Sequence, residues 1–157
     1  MDTPQPRPHG RDLRRGRRSE PGGIYLLTAV THRRESVFAD FHCGRAVVRA
    51  LRAQHDRARV RSLAFVVMPD HLHWLVEVLQ PLPLALLMGQ VKGCSAYAVN
   101  RLRRGAGHRL WQRGFHDHAL RREEDLHATA RYVVANPLRA GLVARIGDYP
   151  LWDAVWL

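Results

Sequence analysis

Residues 60–79 read Val60-Arg61-Ser62-Leu63-Ala64-Phe65-Val66-Val67-Met68-Pro69-Asp70-His71-Leu72-His73-Trp74-Leu75-Val76-Glu77-Val78-Leu79. The first nine end in a continuous apolar run, the mark of a central strand buried on both faces. Pro69-Asp70 is a turn signal. From His71 onward the pattern alternates, and residues two apart in a strand share a face. Leu72, Trp74, Val76 and Val78 form an apolar face. His71, His73, Leu75 and Glu77 look the other way. The stretch therefore predicts a tight antiparallel hairpin in the middle of a sheet. One side of it faces a core, and two imidazoles lie side by side on the other.

The flanking sequence extends this sheet. Ile24 to Thr31 is β-prone, follows Gly22-Gly23 and predicts a buried strand. Residues 40–56 carry Ala46, Val47, Ala50 and Leu51 at helical spacing. Arg45, Arg49 and Arg52 form a basic stripe on that helix, the usual look of a solvated face. A second helix is predicted over 84–104, with Leu84, Leu87, Met88, Val91, Ala98 and Leu102 inward. Arg101, Arg103, Arg104 and Gly105 signal its end. Residues 115–121 predict a short strand. Glu123-Glu124-Asp125 then opens a helix, with acid at the positive end of its dipole. It runs to Asn136, where Pro137 stops it. The aromatic tail (Tyr149, Trp152, Trp156) is expected to pack back on the domain. The order β-α-β-β-α-β plus a late helix predicts an α+β fold with a ferredoxin-like or RRM-like antiparallel sheet. Its helices are expected on one face, the other face free, and the late helix carries Tyr132.

The chain has 157 residues, enough for one domain with a real core. Residues 1–22 hold six arginines, four prolines and one large aliphatic, Leu13. Such a segment buries too little apolar surface to order itself. It reads as a basic arm (Arg14, Arg15, Arg17 and Arg18 among its charges) ahead of a folded domain over 23–157. The net charge is +11, from 25 basic and 14 acidic residues, which points to a polyanionic partner. All the basic residues but Lys92 are arginine, suited to bidentate phosphate contacts. The same skew follows from codon bias in a GC-rich genome. No apolar run is long enough to span a membrane, and the basic N-terminus lacks the apolar stretch of a secretory signal. Cys43 and Cys94 sit in no metal or disulfide spacing and fit reduced thiols, so a cytoplasmic protein is expected.

Three groups of residues carry chemistry. His71 and His73 can share a metal ion, or they are two ordinary surface histidines. If a metal is held, a third ligand must exist. On the late helix, Leu126, Ala130, Val133 and Val134 form the core stripe. Tyr132 and Asn136, at i and i+4, stack on another flank. A tyrosine hydroxyl can be a nucleophile and an amide oxygen can ligand a hard cation. Taken alone, Tyr132 is better explained as a partly buried tyrosine whose hydroxyl bonds a neighbour. His116 and His118 make a second H-x-H, taken as loop or strand residues near a nucleic-acid surface.

Taken together these residues resemble the single-tyrosine HUH nucleases (His, hydrophobic residue, His). The resemblance is closest to the REP-associated tyrosine transposases. It rests on Met68-Pro69-Asp70-His71-Leu72-His73-Trp74-Leu75-Val76, on residues 110–118 (Leu-Trp-Gln-Arg-Gly-Phe-His-Asp-His) and on residues 131–143 (Arg-Tyr-Val-Val-Ala-Asn-Pro-Leu-Arg-Ala-Gly-Leu-Val). They occur in the family's order and spacing and cover residues 22 to about 150. His116 departs from the second aromatic that relatives often carry there. The resemblance implies that His71 and His73 bind metal, that Tyr132 is the nucleophile and that Asn136 is the third ligand. Tyr25, Tyr97 and Tyr149 match no motif position and are taken as packing residues.

The activity implied is metal-dependent cleavage and joining of single-stranded DNA near palindromic hairpins, through a 5′-phosphotyrosine. Mg²⁺ or Mn²⁺ is the expected cofactor. Two imidazoles and an amide suit Mn²⁺ somewhat better, and the ligand types also admit zinc. The expected partner is single-stranded or hairpin DNA of the REP type. Lys92, Arg121, Arg122, Arg139 and the arm are candidate DNA contacts, and Lys92 matches a basic position on the family's middle helix. The protein is expected to act as a monomer or homodimer. Two other readings stand beside this one. A non-catalytic nucleic-acid-binding module on the same fold would bind without metal. A metallohydrolase using metal-bound water would leave no protein–DNA adduct.

Overall fold

The computed structural model describes residues 18–105, 107–121 and 124–156. The central hairpin is Val60–Met68 (β3) and His71–Val78 (β4), paired antiparallel with Met68 opposite His71. Its turn is pinned from outside: the Asp70 carbonyl accepts from the Thr31 amide at 2.9 Å and from Thr31 Oγ1 at 3.0 Å. On its other side β4 pairs antiparallel with Ile24–Val30 (β2). Thus β2 and β3 run parallel, and the helix between them, Phe41–Asp56 (α1), is a crossover. The same logic holds for Leu84–Leu102 (α2), which carries the chain from β4 to His116–Ala119 (β6) on the far side of β2. A last short strand, Trp152–Ala154 (β7), pairs with β3. The sheet order is β6-β2-β4-β3-β7, the expected antiparallel α+β arrangement with one added edge strand.

The predicted faces of β4 hold. Leu72, Trp74, Val76 and Val78 are fully buried with Leu27, Val47, Leu51, Leu87, Met88, Val91 and Val99, beneath α1 and α2. Trp74 satisfies its indole N–H on Ser62 Oγ at 2.9 Å. Asp40 caps α1 by accepting from the amides of His42 and Cys43. Gly89 and Gly93 do not break α2, because both lie on its exposed side with nothing against them.

Three expectations need correction. The second sheet face is not free: Leu126–Val134 (α3) lies on it. There Ala130, Val133 and Val134 pack on Leu63, Val66, Met68 and Leu75. A register shift between Ser62 and Ala64 turns both Leu63 and Ala64 toward this second core. The late helix does not run unbroken to Asn136. It ends at Val134, and a separate turn, Asn136–Arg139 (α4), follows with Pro137 as its second residue. Pro137 has no N–H to continue the α3 ladder, while its φ suits the start of a helix. Nor does the N-terminal segment stay unpaired up to residue 22. Arg18–Ser19 (β1) forms a two-residue ribbon with Leu82–Pro83 (β5), while residues 1–17 lie outside the described part. Among the described residues no helix is long and apolar enough to cross a membrane.

Gly44 lets α1 approach the residue before β7. A Cβ there would fall 2.3 Å from Leu151 Cδ1, and Leu151 is buried. Gly44→Ala should therefore lose about 1–2 kcal/mol to overpacking, although helix propensity alone favours Ala by about 1 kcal/mol. Urea unfolding reads the sign. Adding Leu151→Ala should recover part of the loss; a stabilised single variant would refute the close approach.

Candidate metal and nucleophile site

The site begins at the hairpin turn. His71 Nδ1 lies 2.7 Å from Asp70 Oδ1, so its proton is given to the carboxylate and Nε2 keeps its lone pair. Burial alone would raise the Asp70 pKa, but the hydrogen bond and charge of His71, with the charge of Arg34 at 3.3 Å, hold it below the usual range. One pleat further on, His73 Nδ1 meets Thr28 Oγ1 at 2.8 Å, across the directly opposed pair of β2 and β4. The two imidazoles stand edge to face, with centroids 4.9 Å apart.

The α3–α4 break delivers the next residue. Asn136 Nδ2 lies 3.4 Å from His71 Nε2. A half-turn of the amide would present its oxygen at the same place. Among the described residues no cluster of three or more His, Cys, Asp or Glu side chains is arranged to hold a metal. A three-ligand site here therefore draws on another residue type, and the Asn136 amide stands where that donor is needed. Two imidazole nitrogens and one amide oxygen fit a divalent ion such as Mn²⁺ or Mg²⁺.

Tyr132 is 59% exposed, too open for the half-buried packing tyrosine that its sequence also allowed. Arg139 Cζ lies 3.8 Å from its ring centroid, a cation–π contact. The Arg139 charge also acts on His73. Burial first, then the charges of His71 and Arg139, push the His73 imidazole down to about 4.

The other candidates lie apart from this cluster. Lys92 Nζ donates to the carbonyls of Gln112 and Gly114 at 2.6 and 2.7 Å; it braces the loop ahead of β6. Arg121 is exposed, and its amide donates to Glu124 Oε1 at 3.3 Å. Arg14, Arg15, Arg17 and Arg122 lie outside the described residues; of Arg18 the backbone pairing with Pro83 is described. His116 shares the face of Thr28 and His73 through the register of β6 and β2. His118 binds the Glu124 carboxylate at 2.9 Å, and that hydrogen bond holds Glu124 below the usual carboxylate range. Tyr149, expected to pack, donates to the Val67 carbonyl at 2.5 Å, and burial pushes its hydroxyl up to about 12. Sequence reasoning missed Thr28 and Asp70 as partners of the histidines. The acid directly before the H-x-H was a readable signal for Asp70; Thr28 was visible only once strand register was known.

The depressed His73 pKa has a stability consequence. Unfolded, the imidazole takes up a proton near pH 6.5; folded, it stays neutral to about 4. In metal-free buffer, stability should fall by up to about 3 kcal/mol as pH drops through this window. Urea midpoints measured between pH 7 and 4 check this, and His73→Asn should flatten the slope.

Comparison with known proteins gives a consistent picture. A protein of Haemophilus influenzae described as a REP-associated tyrosine transposase is 28% identical over 145 residues, covering 82% of this chain and 78% of its own. A solved REP-associated tyrosine transposase, bound to a REP hairpin, superposes with a TM-score of 0.65 at 22% identity, over 87% of this chain and 79% of that one. A transposase of Deinococcus radiodurans superposes with a TM-score of 0.52 at 19% identity, over 85% of this chain and 97% of that one. At these identities the two structures speak for the fold. The family model described as "Transposase IS200 like" matches residues 22–136, from just before β2 through Asn136. The resemblance carried by the three motifs is thereby borne out, and the chain belongs to the IS200-like transposase family.

Proposed function

We propose that this transposase cleaves and rejoins single-stranded DNA beside palindromic hairpins, with Tyr132 as nucleophile and His71, His73 and Asn136 as ligands of Mg²⁺ or Mn²⁺. The observation that carries the reading is the 3.4 Å approach of Asn136 to His71 Nε2, one turn beyond Tyr132. The hairpin bound to the solved relative supports the choice of DNA.

The chemistry follows from the residues. The Tyr132 hydroxyl attacks phosphorus and the bond to the 3′ oxygen breaks. The phenol gives up its proton and the leaving oxygen gains one, so the products are a 5′-phosphotyrosine and a 3′-OH. A 3′-OH attacking that linkage reverses the step, rejoins DNA and frees Tyr132; no nucleotide hydrolysis is required. A bound divalent ion would polarise a non-bridging phosphate oxygen. Asp70 and Thr28 hold the imidazoles so that Nε2 of each is the donor atom. Arg139 keeps the exposed Tyr132 ring in place, and its guanidinium favours the developing phenolate and the phosphate.

The decisive experiment mixes the protein with a labelled single-stranded hairpin and Mn²⁺ and resolves the products on a denaturing gel. A labelled band at the mass of protein plus DNA is expected, and it should vanish in Tyr132→Phe while hairpin binding persists. Cleavage without adduct would instead support a metal-bound water, and binding without cleavage a non-catalytic module. Asp70→Ala should weaken Mn²⁺ binding by about 10- to 100-fold, read by calorimetry independently of activity. Arg139→Ala should slow adduct formation by about tenfold or more with hairpin affinity changed little, which single-turnover kinetics separate.

A further inference from the structure

A groove of about 440 Å³ runs between α1 and the sheet edge formed by β3 and β7, lined by residues that none of the chemistry above uses. Arg45, Arg52 and His55 of α1 form one wall, Val48 and Phe65 its apolar floor, and Asp153 of β7 the opposite wall. Phe65 and Val48 are only half-buried, so part of an aromatic ring is open to the groove beside the cations. Phe65 pairs with Asp153 across the strands, which places both on the α1 side. Arg45 has no acidic partner among the described residues. Arg52 has only an exposed, loose pair with Asp56 at 3.7 Å, worth little. His55 Nδ1 accepts from the Ser62 amide at 3.3 Å, so the ring proton sits on Nε2 as a donor. The close packing of Gly44 on Leu151 fixes how near α1 comes to β7.

We propose that this groove holds an unpaired nucleotide of the bound DNA strand. Two arginines, two helical turns apart, and an imidazole N–H meet phosphates, and an exposed ring takes the stacked base. The one carboxylate sets the orientation. Asp153 repels phosphate and accepts from an exocyclic amino group, which cytosine, adenine and guanine carry and thymine lacks, so thymine is left with its ring N–H alone and fits that wall less well. The volume is that of a small-ligand site. The inference rests on the DNA reading above, but not on Tyr132 chemistry or metal.

The test uses the full chain carrying Tyr132→Phe, without metal, and fluorescein-labelled hairpins, blunt or with a four-nucleotide extension. The protein should bind a dC-extended hairpin about tenfold tighter than the blunt one, and a dT-extended hairpin less tightly than the dC form. Arg45→Gln with Arg52→Gln should erase the preference for the extension. Phe65→Leu, which keeps an apolar floor and all charges, should reduce it. An equal loss for blunt and extended hairpins, or no loss, would overturn the groove as a nucleotide site while leaving DNA binding intact. If neither hairpin binds, the DNA reading itself fails and the groove with it. Chemical shifts of His55 should move with dCMP far more than with inorganic phosphate; equal movement would reduce the groove to a simple anion site and overturn the nucleotide assignment.

Discussion

A slip of β4 by one residue against β2 and β3 would drive His71, His73 and Glu77 under α1 and α2 and expel Trp74 from the core. That exchange would bury unpaired polar groups and strip the largest side chain from the fold's centre, so the register is strongly fixed. Everything else about the site inherits this constraint. The pairing that buries Trp74 also sets Thr28 opposite His73 and puts His71 beside the turn. The placement of the histidine pair is thus a by-product of core packing on the far side of the same strand.

The polar partners then do different work. Asp70 is tied down twice by Thr31 through its carbonyl, while its side chain holds His71. His73, deeper and pushed toward the neutral form, depends on a hydroxyl instead of a charge. Asn136 arrives on the Nε2 side of His71. Arg139 sits at the outer rim over Tyr132. Its charge burdens a protonated imidazole but favours phosphate and phenolate, which suits a site built for anions.

Much of this was legible because short-range patterns encode it. Alternation from Leu72 to Val78 gave the two faces of β4, and helical spacing in 40–56 and 84–104 gave the two crossovers. Ala130, Val133 and Val134 announced a buried stripe but could not say which face of the sheet receives it, since small apolar residues pack on either. β7 was hidden in a tail read only as aromatic, because its pairing with β3 joins residues far apart in sequence. Tyr132 and Asn136 stand four apart in sequence, but the break between Val134 and Asn136 puts them on separate helices, which their spacing alone does not reveal. Lys92 shows the same limit: its position on the middle helix was plain, and its bonds to Gln112 and Gly114 were not, because a side chain's partners across a loop leave no local trace.

The second core is thinner than the first. On α3 it has one alanine and two valines as its deeply buried residues, where α1 and α2 bring leucines and a methionine. Elements that bury less apolar surface open at lower free energy than the body they rest on. The two imidazoles therefore stand on the strand that the larger core holds, and Tyr132 on the helix that the thinner one holds. Transient release of α3 would leave the histidine pair standing on an intact sheet, so under the proposed mechanism a tyrosine joined to a strand lifts away and returns without the domain unfolding around it.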